Sequence, residues 1–203
     1  MEKLDRSFYL RDTVIVAREL LGKELVHEAG GFKTIGRIVE TEAYTGPEDK
    51  GSHSYGGRRT NRNETMYHLG GTAYVYLIYG MYHCFNVVTE EAGMPAAVLI
   101  RAVEPLLGFE FMSRARYAAD YNELTGRQET GLCNGPGKLC IAMNIGRTEN
   151  GLDLCGNKLY ICDTNYEPKQ IKSSPRINID YAEEYRDKPW RFYIESSKFV
   201  SKG

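Results

Sequence analysis

Residues 72–86 read TAYVYLIYGMYHCFN. The run is a strand, a tight turn and a second strand. Side chains alternate along a strand with period two. Tyr74, Tyr76 and Ile78 therefore share one face, and Val75 and Leu77 share the other. Tyr79-Gly80-Met81 falls at the turn. Hairpin tips usually carry small polar residues, yet this one sets an aromatic ring and a thioether at its most exposed point.

The hairpin makes antiparallel pairing the local rule, and the flanking sequence extends it. Lys23–His27 and Lys33–Tyr44 are strand-like and meet across Gly30-Gly31, a second hairpin signal. Ala97–Ala102 is a short apolar strand, and Leu159–Cys162 and Arg191–Ile194 are late strands. Asp12 suits a helix N-cap, with Val14, Ala17, Leu20 and Leu21 on one face and Gly22 as the stop. Pro105 opens a helix to about Tyr117. Pro136 sits in the first turn of another, with Leu139, Ala142 and Met143 on its apolar face and Gly146 at its end. Helices and strands do not alternate regularly. The pattern predicts an α+β single domain over residues 1–203, with a curved, mostly antiparallel sheet flanked by helices and a protruding β-hairpin.

A chain of 203 residues can bury a substantial core. Its net charge of −1 gives no general basic coat for nucleic acid, which leaves a local patch as the only electrostatic route to one. The opening MEKLDRSFYLRD has no apolar run of the secretory type, and no stretch approaches eighteen apolar residues. A cytoplasmic protein that engages no membrane is expected. The 5 cysteines include no C-x-x-C pair, so reduced thiols acting as small hydrophobes are expected. The 4 histidines show no ligand spacing, and no metal is expected.

Four stretches carry candidate chemistry. In RIVETEAY, residues 37–44, Glu40, Glu42 and Tyr44 project from one strand face. Either the strand leaves the core there, with both glutamates solvated or paired to Arg37, or one glutamate stands at a pocket mouth as a general base. An acid pair straddling a glycosidic bond needs carboxylates on opposite sides of the substrate. Glu40 and Glu42 lie on the same side within about 7 Å, so one working and one structural glutamate fits better. The loop Thr45–Asn63 is long enough to suggest function. It holds His53 and the cluster Arg58, Arg59 and Arg62, read as either a solvated loop or a phosphate clamp. Tyr79 at a hairpin tip has the form of a wedge between base steps. Gly135-Pro136-Gly137-Lys138 lacks the spacing of a nucleotide phosphate loop, because positions 132 and 139 are both Leu. It remains either a plain helix cap or a single-phosphate site.

Taken in order, GRIVETEAYTGPED, His53-Ser54, YVYLIYGMYHCFN, VLIRAVEP, LCNGPGKLC and KPWRFYI span nearly the whole chain. Together they resemble the alkyladenine (3-methyladenine) DNA glycosylase family in its compact bacterial form. The resemblance implies that Glu42 is the general base, activating water against the deoxyribose C1′, with Arg101 beside the water and the DNA backbone. It implies a base pocket of Tyr44, His53 and Tyr76, screened against guanine by Asn86. Tyr79 would be the intercalating residue with Met81 beside it, and Lys138 would touch phosphate. The implied partner is double-stranded DNA containing damaged purines, engaged by a monomer without cofactor and met at the bacterial nucleoid. A noncatalytic nucleic-acid-binding module and a carbohydrate hydrolase using Glu40 and Glu42 are the competing readings. The first has no use for an acid facing its ligand, and the second none for the wedge or Lys138.

Overall fold

The computed structural model describes residues 2–201. In chain order its elements are β1 (Glu2–Lys3), α1 (Arg6–Tyr9), α2 (Thr13–Glu19), β2 (Glu24–Ala29), β3 (Phe32–Tyr44), β4 (Ala73–Ile78) and β5 (Tyr82–Thr89). β6 (Ala96–Leu107), α3 (Phe109–Tyr117), α4 (Gly126–Thr130), α5 (Pro136–Ala142), β7 (Leu159–Asp163), β8 (Ile171–Ser174) and β9 (Arg191–Ile194) follow. The strands form one open sheet in the order β1-β7-β2-β3-β6-β5-β4, and the strand pairs are antiparallel. β3 is long enough to change neighbours. Its first half pairs with β2 and its second half with β9, which β8 flanks, while β6 runs along its other side.

The expected α+β class with antiparallel pairing is what the chain adopts. Asp12 caps α2 by accepting from the amides of Val14 and Ile15. Val16, Ala17 and Leu20 are wholly buried, with Val14 only half-buried. From α5, Leu139 and Ala142, with Met143 just past its end, join them in one core with Ile38, Val87 and Ile100 of the sheet. Burial of each large aliphatic side chain contributes about 1.5–3 kcal/mol. The alternation read from the hairpin holds: Val75 faces this core, and Tyr74 packs with Met66, Val88 and Ala97 on the other side.

Two punctuation marks fall elsewhere than expected. Pro105 does not open a helix but sits inside β6, which runs to Leu107. It lies opposite Gly36 next to a register shift, a bulge position at which strands tolerate proline. Gly108 then precedes α3. Gly146 is likewise not the stop of α5. That helix ends at Ala142, Asn144 takes the left-handed conformation (φ 54°), and Gly146 is extended (φ −140°).

The β4–β5 tip is a mirror-image turn, with φ of 53° at Tyr79 and 71° at Gly80, closed by the Met81 amide donating to the Ile78 carbonyl at 3.3 Å. Such turns favour Asn-Gly. An L-residue with a bulky side chain pays about 1–2 kcal/mol there, and Tyr79 is 76% exposed. β4 is also the last strand of the sheet. Residues 150–152 cover its first half: the Ala73 amide donates to Leu152, Ala73 accepts from Gly151, and the Val75 amide donates to Asn150 Oδ1. Arg62 Nη2 donates to the Leu77 carbonyl at 3.1 Å.

Candidate active site

The change of neighbours along β3 sets the site. Glu40 lies between Ala102 of β6 and Tyr193 of β9, and Glu42 between Leu99 and Arg191. Both carboxylates are wholly buried. Neither is solvated or paired to Arg37, which binds Glu104 at 3.0 Å. Arg101 bridges the two instead, with Nε 3.1 Å from Glu40 and Nη1 3.3 Å from Glu42.

The remaining partners separate them. Glu40 accepts from Arg191 Nε at 2.7 Å, the Ser201 amide at 2.6 Å and the Ser201 hydroxyl at 2.9 Å. Glu42 accepts from the Tyr44 hydroxyl at 2.9 Å and the Ile177 amide at 2.8 Å. Burial, reinforced by the neighbouring Glu42, pushes the Tyr44 hydroxyl well above its ordinary pKa, so it remains a donor. Tyr44, Arg101 and Ile177 all line a cleft of about 290 Å³. Glu42 thus sits directly behind the cleft wall, and Glu40 is enclosed by the tail and β9.

The cleft gathers most of the predicted residues. Tyr44, His53, Tyr76, Tyr79, Asn86 and Arg101 line it, with Tyr74 at its wall. The His53 ring stands edge-on to Tyr76, centroids 4.6 Å apart, and its Nδ1 is 3.1 Å from the Tyr74 hydroxyl. The ring opens to the cleft, but surrounding protein displaces much of its water. That desolvation, with Arg62 and then Arg58 nearby, lowers its pKa from 6.5 to about 4. Asn86 is buried, and its Nδ2 donates to the Tyr74 and Cys84 carbonyls at 3.1 and 3.4 Å, which fixes its amide.

Met81 and Lys138 lie outside the cleft lining. Met81 is 67% exposed beside Tyr79. Lys138 is exposed, donates to Asn134 Oδ1 at 2.8 Å, and has a pKa lowered by partial desolvation and then by Arg116. The N-terminal turn of α5 abuts the hairpin. A Cβ added at Gly137 would come within 3.1 Å of Tyr82 Cβ, so glycine permits that approach. The arginine cluster is not one clamp: Arg59 pairs with Glu64 at 2.6 Å, while Arg62 reaches Leu77 and lies over the Tyr76 ring.

One wall was not anticipated. Ile177, Asn178, Ile179 and Tyr181 line the cleft. Asn178 is left-handed (φ 60°), the one local cue the sequence offers, since asparagine tolerates that region. Arg176 and Asp49 form a fully buried ion pair beneath this wall. Among the described residues no group of three or more His, Cys, Asp or Glu could hold a metal ion, and no helix is long and apolar enough to cross a membrane.

A sequence model described as methylpurine-DNA glycosylase matches residues 7–198. A Desulfitobacterium hafniense (strain Y51) protein is 57% identical over 201 residues, 99% of each chain. Relatives from Clostridium acetobutylicum (55% identical, covering 98% of this chain and 97% of that one) and Clostridium novyi (54%, covering 100% of both) are similar throughout. All three bear the name "Putative 3-methyladenine DNA glycosylase". With the buried acid, the ring-lined cleft and a match over nearly its whole length, the chain belongs to the methylpurine-DNA glycosylase family.

Proposed function

We propose that this DNA glycosylase takes alkylated purines such as 3-methyladenine and 7-methylguanine out of duplex DNA and hydrolyses their N-glycosidic bond, with Glu42 as general base. The observation that carries the proposal is the placement of Glu42. It is a wholly buried carboxylate held by Arg101, Tyr44 and Ile177, three groups that themselves face a cleft lined by aromatic rings. A glycosylase must extrude its base because the bond is inaccessible in the stack. Tyr44, Tyr76 and His53 offer the faces for such a base, and stacking is worth about 1–3 kcal/mol per base. A cationic alkylpurine gains further from electron-rich rings.

In the step proposed, water attacks C1′ and passes a proton to Glu42. The C1′–N bond breaks with its electron pair leaving on the base, and an abasic site remains. Arg101 neutralises the buried carboxylates beside the reacting centre. His53, with a pKa near 4, is neutral at physiological pH and serves as a hydrogen-bonding wall, not an acid. Leaving-group departure therefore relies on the charge of the lesion, so neutral lesions such as hypoxanthine and 1,N6-ethenoadenine react more slowly. Asn86 would screen against the exocyclic amine of guanine. Tyr79 would fill the gap left in the duplex with Met81 beside it, and Lys138 would contact phosphate. Among the described residues no lysine lines the cleft, so a Schiff base and strand scission are not expected. One protein copy per lesion on chromosomal DNA completes the proposal.

Base-release chromatography from methylated, hypoxanthine-containing and ethenoadenine-containing duplexes tests it. Release of methylated bases without strand nicking supports the reading. No release from any duplex, or nicking without alkali, sinks it.

A further inference from the structure

The Arg176–Asp49 pair has a feature that stability does not explain. Both side chains are fully excluded from water, with Nη1–Oδ2 at 2.5 Å and Nη2–Oδ1 at 2.7 Å, yet Arg176 Nε is buried without a hydrogen-bond partner among the described residues. Buried ion pairs seldom repay their desolvation, and well-packed apolar replacements are often as stable. What the pair does have is reach. Arg176 Nη1 donates to the Ala43 carbonyl at 2.8 Å, between Glu42 and Tyr44. Its guanidinium lies 4.6 Å from the Tyr44 ring centroid and 5.1 Å from that of Trp190. The next residue, Ile177, supplies the amide on Glu42. Asp49 accepts from the amides of Thr45 and Gly51, which shapes the loop leading to His53.

Around this buried pin the two segments are stapled at the surface. Lys50 reaches Glu183 and Glu184 at 2.5 and 3.0 Å, and the Tyr181 hydroxyl lies 3.4 Å from the Gly51 carbonyl. Tyr181, Gly51 and Ser52 all line the cleft. The 45–53 loop and the 176–184 segment therefore make one braced wall.

We infer that Arg176, locked by Asp49, is the positioning residue of this site: it sets the Ile177 amide against Glu42 and backs the Tyr44 ring. The inference rests on Glu42 and Tyr44 working as proposed above. Arg176 is buried beneath the wall and acts only through its neighbours.

The test is the full-length Asp49→Leu/Arg176→Met double variant, which removes both buried charges together and keeps apolar bulk. Three readouts are needed at a temperature where circular dichroism shows it folded. These are single-turnover release of 7-methylguanine from methylated duplex, affinity for a duplex carrying an abasic-site analogue, and hydrogen exchange at the Ile177 amide. The expected result is a rate at least tenfold lower, abasic-duplex affinity within threefold of the wild type, and Ile177 exchange at least tenfold faster. A folded variant with wild-type rate and wild-type Ile177 protection overturns the inference and leaves the pair as packing alone. If the double variant does not fold, Arg176→Lys takes its place. Lysine keeps the charge but cannot reach Asp49 and Ala43 together while covering Tyr44, so the same losses support the inference and unchanged values overturn it. If the wild type releases no base, the glycosylase reading fails by itself, and Ile177 exchange still decides whether Arg176 positions that amide.

Discussion

The buried acid pair behind the cleft and the tip of the hairpin are built on opposite terms. In the acid pair, Glu40 and Glu42 are excluded from water, and each is held by several donors before any ligand arrives. At the tip, Tyr79 and Met81 stand in water without apolar cover, on a turn whose first residue is in an unfavourable backbone region. Preorganised groups act without reorganising during the reaction, which suits the step at C1′. An exposed apolar residue gains only when something covers it, which suits a group that waits for DNA. On the function proposed above, the difference separates chemistry from capture.

Substitutions can break that separation. Glu42→Gln has the largest expected effect: base release falls about 10²–10⁴-fold, the usual contribution of a general base, while damaged-duplex affinity stays within a few-fold. Release assays alongside gel-shift titration check it, and parallel loss of both would mean the buried acid pair also serves capture. Glu40→Gln comes next. It leaves Arg191 and part of Arg101 unpaired in a buried site, a loss of about 3–5 kcal/mol in stability. Thermal melting should show a much larger drop than for Glu42→Gln relative to any loss of rate in the folded enzyme. If Glu40→Gln instead stops chemistry without lowering the melting temperature, the two carboxylates have been assigned the wrong way round.

The tip is tested in the reverse sense. Tyr79→Ala should weaken lesion-duplex binding by about 1–3 kcal/mol, the value of a stacked ring, and leave the melting temperature nearly unchanged. Tyr79→Asn sharpens this: asparagine suits the left-handed turn, so the free protein should gain about 1 kcal/mol in stability even as DNA binding weakens. A stabilised variant that binds less well would show that tyrosine is kept there at a cost to the fold.

The smallest effect concerns His53. Its folded pKa of about 4 lies below the unfolded 6.5, so the unfolded chain binds the extra proton first. The contribution of the neutral ring to stability is intact above 6.5, erodes as pH falls towards 4, and changes no further below it. Proton NMR should place the midpoint near 4, and Arg62→Ala should move it upward by removing a nearby cation. A midpoint near 6.5 in the wild type would return His53 to the list of candidate proton donors.

Much of this was legible because it is local. Period-two alternation over 73–78 assigned Tyr74 and Tyr76 to one face, and Gly30-Gly31 gave the first hairpin. The pairing of Glu40 and Glu42 on one face was equally plain, but their unequal surroundings were not. Those depend on Arg191 and Ser201, more than 150 residues away. Pro105 misled because proline opens helices far more often than it rides a bulge, and the bulge depends on the partner strand. The wall at 176–181 left only Asn178 as a cue, since a buried arginine looks like any other until its partner is known.

The sheet has one further consequence at its outer strand. β4 carries four aromatic or β-branched side chains between 74 and 78 and, among the described residues, has no strand beyond it. Such an edge invites a second molecule to add its own strand, the usual route to aggregation. Here the outward amide and carbonyl of Ala73, the amide of Val75 and the carbonyl of Leu77 are all occupied from within the chain. Arg62 and the 150–152 segment therefore occupy much of the edge that would template intermolecular β-structure along the stem of the hairpin, below an apolar tip left exposed.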